Sequence, residues 1–289
     1  MSRKLTVILG PTAVGKTSYA ISKALEAGSP VISCDSRQIF REMRIGTAVP
    51  SPEELSAVKH YFIQTESITS NYTAGRYEED ALALIGKLFS EGHETLVMCG
   101  GSMMYIDAVC EGFDSIPPAG PGVREALMEM LSEEGVGALA EKLRHLDPQT
   151  WETVDRNNPH RLVRALEVCI TTGQPYSSFR KGKKAERDFD IEKTGLVMPR
   201  EKLYARIDAR VDRMIEDGLV EEVRSLLPYR NLPALKTVGY QEIFPYLDGE
   251  ISLDEAVSLV KRNSRRYAKR QMTWWRRDPD IEWVDAESL

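Results

Sequence analysis

The chain has 289 residues, 42% hydrophobic and 28% charged, and its 44 acidic against 38 basic side chains give a net charge of −6. Such a balance supports one large or two ordinary domains with a sizeable core and excludes wholesale disorder. No window approaches the roughly 18 apolar residues of a membrane span, and four scattered cysteines without a CxxC pair exclude a disulfide framework or a zinc site, so the expected setting is a reducing cytoplasm with no membrane partner.

Residues 4–9 (KLTVIL) form a short β-branched apolar run, a buried first strand ending in Gly10. GPTAVGKT (10–17) follows, and 18–27 reads as a helix closed by Gly28. Val31 to Cys34 predicts a second strand, with Asp35 and Ser36 at its end. A helix over 74–91 precedes a third strand over 94–99, and Gly100-Gly101 lead into a helix reaching Glu111. Strands alternating with helices predict right-handed crossovers and a parallel sheet, whose ligand crevice lies beyond the strands' carboxyl ends. Gly10, Asp35 and Gly100 all fall there.

The breaker cluster IPPAGPG (116–122) ends this alternation. Helical stretches follow over 123–134, 136–145, 149–154 and 159–172, with no strand pattern until 193–198. These predict a helical insertion over 117–190 in an α/β core made of 1–116 and 191–289. The end of the insertion, FRKGKKAERDFD (179–190), reads as an exposed mobile loop. A final long helix spans 252–277, and from Lys261 to Arg277 it carries eight Lys or Arg and no acid. Such asymmetry in an acidic chain marks a local anion-binding face.

GPTAVGKT matches G-x-x-x-x-G-K-[ST] in the required strand-then-helix context, which makes the core a P-loop NTPase-like α/β fold. The backbone of Gly10, Pro11, Thr12, Ala13, Val14 and Gly15, with an N–H at every position but Pro11, can wrap phosphate oxygens. Lys16 supplies a point charge, Thr17 a hydroxyl for Mg²⁺, and the helix N-terminus its partial positive charge. A diphosphate or triphosphate is the expected ligand. Asp35 on the crevice edge can bind Mg²⁺, take a proton from a nucleophile, or merely cap the next helix.

Nine blocks in order carry a resemblance across nearly the whole chain: GPTAVGKT (10–17), DSRQIF (35–40), IGTAVP (45–50), GGSMMYIDA (100–108), NPHRLVRALEV (158–168), TGQPYS (172–177), LYARIDARVDRM (203–214), TVGYQE (237–242) and YAKRQMTWWRR (267–277). Together they resemble the bacterial tRNA dimethylallyltransferases. The resemblance implies transfer of the dimethylallyl group of dimethylallyl diphosphate to N6 of adenosine 37 beside the tRNA anticodon, by a monomer whose helical insertion clasps the anticodon stem-loop. It further implies that Asp35 accepts the N6 proton and that Arg206 and Arg210 join the phosphate loop in holding diphosphate. Ser36, Arg37 and Gln38, with Gly101 and Ser102, match segments that touch tRNA. So do Arg124 and the run His160, Arg161, Leu162, Val163 and Arg164. Ser102 stands where threonine is usual and keeps the hydroxyl; Phe40, Val49 and His160 replace the commoner tyrosine, lysine and glutamine.

The chemistry suits these residue types. The exocyclic amine of adenine is a poor nucleophile, so its partner must be a strong electrophile. An allylic carbon leaving from diphosphate is one, and Lys16, the loop amides and Mg²⁺ at Thr17 would stabilise the departing charge. A small-molecule P-loop kinase, a prenyltransferase acting on free adenosine phosphates and a non-catalytic RNA-binding switch are the alternatives. The first two have little use for a basic last helix or an arginine-bearing insertion, and Asp35 beside an intact Lys16 and Thr17 argues against the third.

Overall fold

The computed structural model describes residues 3–114, 116–180, 182 and 185–289. Two compact units divide the chain, one made of 1–110 with 186–289 and the other of Glu111–Ala185.

In the first unit, β1 (Lys4–Leu9) leads through the phosphate loop to α1 (Lys16–Ala27), then β2 (Val31–Ser33), α2 (Pro52–Ala57), β3 (His60–Tyr61), α3 (Ala74–Ser90), β4 (Thr95–Cys99) and α4 (Met103–Glu111). The helical unit contains α5 (Val123–Glu134), α6 (Val136–Leu146), α7 (Pro148–Thr153) and α8 (Pro159–Thr172). The chain then returns with β5 (Asp190–Val197), α9 (Arg200–Glu216), α10 (Leu219–Ser225), α11 (Phe244–Leu247), α12 (Leu253–Trp275) and β6 (Ile281–Asp285). All strand pairs are parallel, in the order β3-β2-β4-β1-β5-β6. Central β1 is covered on both faces, with Leu5, Val7, Ile8 and Leu9 fully buried, as parallel strands under helices must be.

Several local expectations need correction. The strand expected at 193–198 starts at Asp190, because Asp190 and Glu192 face outward while Ile191 packs against the core and Lys193 pairs with Asp278. Both outer strands, β3 and β6, went unanticipated; two residues and one short run past a helix give too little pattern. Residues 186–190 belong to the first unit rather than to the helical one. They are also pinned: Arg187 pairs with Glu78 at 2.9 Å and donates to the Ala108 and Val109 carbonyls, and Phe189 packs on the core. Of the stretch read as a loop, positions 181, 183 and 184 lie outside the described residues.

The helical unit has its own core, in which Leu127, Leu139, Leu143, Leu162 and Leu166 are buried. Asp147, 1% exposed, caps α7 and accepts four hydrogen bonds, from the amide and hydroxyl of Thr150 and of Ser177, at 2.6–3.0 Å. This ties the TGQPYS segment to the start of α7.

Candidate active site

The phosphate loop turns immediately after β1. Gly10 sits at φ +146, and a Cβ there would lie 2.7 Å from the Leu196 carbonyl oxygen of β5. Only glycine allows that approach. Gly15, at φ 109, caps α1, so the helix opens at Lys16 with its first amides unsatisfied by any side-chain cap. Val14 and Pro11 are buried, leaving only backbone to offer a ligand, whereas Thr12, Lys16 and Thr17 line a cavity of about 660 Å³.

From the far side α9 supplies arginines. Arg206 and Arg210, one turn apart, both line that cavity, and Arg210 Nη1 donates to Thr12 Oγ1 at 3.1 Å. Asp208 and Asp212 of the same helix point to α12 instead. There they pair with Arg265 and Lys261 respectively. The basic stretch of α12 is therefore partly neutralised within the fold, a correction to the expectation of eight cations on one binding face. Neither Trp274 nor Trp275 is presented to solvent as a stacking platform. Trp275 is 2% exposed in the core, and Trp274 Nε1 donates to Asp107 at 2.9 Å.

Lys16 Nζ donates to the Pro11 carbonyl at 2.8 Å. Burial, aided by the Arg210 guanidinium and opposed by Asp35, lowers its ammonium pKa to about 8. Burial also lowers Arg210, against the pull of Asp35. Among the described residues neither cation has a carboxylate within ion-pair distance. Two half-buried cations facing one cavity at the start of a helix define an anion site.

Asp35 follows β2 and opens a tight turn. Its Oδ1 accepts from the amides of Arg37 at 2.9 Å and Gln38 at 3.2 Å. No helix follows for it to cap, so one oxygen closes a turn instead, while Oδ2 has no hydrogen-bond partner among the described residues. Ser36 N donates to Ser102 Oγ at 2.7 Å, which joins this turn to the Gly100-Gly101-Ser102 turn after β4. A second cavity, about 420 Å³, is lined by Ser36, Arg37, Ser102 and Arg270. The two cavities share Thr12, Asp35, Thr47, Arg210, Met214 and Tyr267, so Asp35 stands where they meet.

Two side chains of α12 hold this junction together, Gln271, which sequence reasoning missed, and Tyr267 of the YAKRQMTWWRR block. Gln271, 1% exposed, accepts from Thr12 N at 3.0 Å and donates to the Gly101 carbonyl at 2.8 Å. Tyr267 donates to the same carbonyl at 3.2 Å, and burial pushes its hydroxyl up to about 12. The Gly101 carbonyl is thereby saturated. Gln38 spends its side-chain amide on the Thr47 and Ala48 carbonyls, at 3.1 and 2.9 Å.

In the helical unit, His160 and Arg161 are exposed on α8, whereas Leu162 and Val163 are buried in its core. The run therefore has an outward basic side and an inward apolar one, and only the former is open to a ligand. Glu167, 1% exposed, receives Arg124 at 2.9 Å and Arg164 at 3.5 Å, which leaves both guanidinium groups partly exposed and fixed.

A parallel sheet with a phosphate loop, two half-buried cations and a carboxylate at the junction of two cavities defines a P-loop α/β protein equipped for group transfer from a phosphorylated donor. Comparison with known proteins narrows this class. The chain belongs to the IPP transferase family, whose model matches residues 38–278. It is 50% identical to a tRNA dimethylallyltransferase of Christiangramia forsetii, over 99% of this chain and 95% of the relative. It is likewise 50% identical to tRNA dimethylallyltransferase 2 of Parabacteroides distasonis, over 98% and 94%. The crystal structure of a full-length tRNA isopentenylpyrophosphate transferase from Bacillus halodurans superposes with a TM-score of 0.72 at 36% identity, covering 98% of this chain and 90% of that one.

Proposed function

We propose that this chain transfers the dimethylallyl group of dimethylallyl diphosphate to N6 of adenosine 37 in tRNA, releasing diphosphate. The observation that carries the reading is the position of Asp35 where the phosphate-loop cavity meets the second cavity. A donor held by its diphosphate and an acceptor entering from the other side would meet beside this carboxylate.

In this reading the loop amides at Ala13 and from Gly15 to Thr17, with the side chains of Lys16, Arg206 and Arg210, hold the diphosphate. They stabilise the negative charge that grows as the allylic C–O bond breaks. The N6 lone pair forms the new C–N bond, diphosphate departs with the electron pair of the broken bond, and the N6 proton passes to Asp35. Extrusion of the adenine from its stack costs a few kcal/mol, offset by contacts to Ser36, Arg37, Gln38, Gly101 and Ser102. Gly101 would contribute through surface and shape, its carbonyl being occupied. On the helical unit, Arg124, His160, Arg161 and Arg164 supply backbone contacts to the stem-loop.

Mg²⁺ fits this site. Among the described residues no cluster of three carboxylate, His or Cys side chains exists to hold a metal alone. Mg²⁺ in P-loop proteins, however, is ordinarily held by the loop Ser or Thr hydroxyl and a carboxylate together with substrate phosphates and water, and Thr17 and Asp35 line the same cavity. Thr17 would provide its hydroxyl from the cavity wall, and the ion would neutralise charge on the leaving diphosphate.

Incubation with labelled dimethylallyl diphosphate, Mg²⁺ and unmodified tRNA, with ATP and AMP in parallel, tests the reading. Label in tRNA at adenosine 37 supports it. Label in AMP alone, or phosphate transferred from ATP to a small molecule, replaces it.

A further inference from the structure

The segment Arg44–Ala48 walls the phosphate-loop cavity, and its Gly46 and Thr47 also line the second one. It has no strand or helix to stabilise it, and Ala48 sits at φ 48, a conformation that an alanine adopts only under constraint. Something outside the segment must hold it. The Glu222 carboxylate on α10 makes most of the bonds that do so, accepting three successive backbone amides, Arg44 at 3.1 Å, Ile45 at 2.8 Å and Gly46 at 3.0 Å. A fourth bond comes from the buried Tyr240 hydroxyl at 2.6 Å.

The grip extends toward the reacting groups. The segment's Thr47 and Ala48 carbonyls receive the Gln38 side chain, and Gln38 N donates in turn to Asp35 Oδ1. A continuous path of hydrogen bonds and backbone therefore runs from α10 to the carboxylate at the cavity junction. Glu222 touches neither cavity itself. The same contact accounts for two of the sequence blocks at once. A Cβ on Gly46 would lie 2.5 Å from the Tyr240 ring, so the glycine of IGTAVP is the imprint of the tyrosine of TVGYQE.

We infer that Glu222 is a positioning residue for the transfer reaction, clamping the Arg44–Ala48 segment so that Gln38 and Asp35 are held ready for substrate. A carboxylate is required because all four of its partners are donors. Glutamine would turn its own N–H bonds against at least one backbone amide. The inference rests on the proposed function for its catalytic readout, but not for its structural one.

Two measurements on the full chain test it. In Glu222→Gln, backbone amide exchange at Arg44, Ile45 and Gly46 should accelerate by about tenfold or more, since the bonds that protect them weaken. The single-turnover rate of prenyl transfer should fall on the order of tenfold, while the Kd for tRNA stays within about twofold of wild type. Tyr240→Phe removes one bond and should show the same pattern at roughly a third of the effect, and it decides the matter if the glutamine variant does not fold. Unchanged exchange at 44–46 overturns the clamp. Faster exchange with a wild-type transfer rate, or a rate loss matched by an equal loss of tRNA affinity, overturns the positioning role. Absence of transfer by the wild-type protein overturns the proposed function instead and leaves exchange to judge the clamp.

Discussion

The depressed Lys16 ammonium makes a prediction that ties the site's electrostatics to a binding curve. With a pKa of about 8 in the free protein, Lys16 is roughly nine-tenths charged at pH 7, half charged at pH 8 and one-tenth charged at pH 9. A bound diphosphate places negative charge beside the ammonium and restores its pKa upward, so binding takes up a proton. The sign follows: affinity is complete where the free lysine is already charged and is lost as pH rises through 8. From pH 7 to 9 the loss should be about tenfold, or about 1.4 kcal/mol. Arg210 does not titrate in this window, and the second ionisation of a phosphate group, near pH ~6, lies below it. Calorimetric titration of dimethylallyl diphosphate with Mg²⁺, repeated in buffers of different ionisation enthalpy, reads both quantities. Proton uptake should rise from about 0.1 per site at pH 7 to about 0.9 at pH 9. Lys16→Met should bind more weakly and lose the slope. A flat affinity between pH 7 and 9 in the wild type, or a slope that survives the methionine substitution, would refute the argument.

Asp35→Asn should lower the transfer rate by about 10² or more, the scale for losing a general base, with tRNA affinity retained; single-turnover kinetics beside filter binding checks both. Gly46→Ala presses a methyl group against the fully buried Tyr240 ring, and overpacking of this kind costs about 1–3 kcal/mol, read as a shift in the urea midpoint. Asp147→Asn should destabilise the protein by about 2–3 kcal/mol through loss of charge-assisted bonds, measured by the same unfolding curves. Burial raises the Asp147 carboxyl, but hydrogen bonds from Thr150 and Ser177 more than offset this and hold it below its ordinary value. Its contribution is therefore present above pH ~4 and lost as pH falls through the lowered pKa. The wild type and the Asn variant should converge in stability toward acid; a gap unchanged at low pH contradicts this assignment.

Elements whose signal is local are legible in the amino-acid sequence. The phosphate loop is contiguous, and the predicted helix over 159–172 coincides with α8, bounded by its Asn158 cap and Gly173. The predicted start at Ser252 coincides with the capping box that opens α12. Features that depend on partners distant in the chain are not legible in this way. Glu222 sits in LVEEVRS, where nothing separates it from its exposed neighbour Glu221, and its amide partners lie 176–178 residues earlier. Gln271 reads as one more polar residue in a basic helix, although it bridges Thr12 and Gly101 across more than 160 residues. Composition counts the cations of α12 but cannot tell which of them α9 neutralises. Periodicity marks the α8 helix without showing that two residues of its HRLVR run face inward.

Helix α9 carries opposite signs on different sides, arginines toward the cavity and aspartates toward α12. Bulk charge and local potential are thereby uncoupled. The molecule should travel as an anion in an electric field at neutral pH and bind to an anion exchanger, yet still draw a polyphosphate into its interior. Surface engineering for solubility can therefore add acidic residues remote from this helix without weakening the pull on a negatively charged guest.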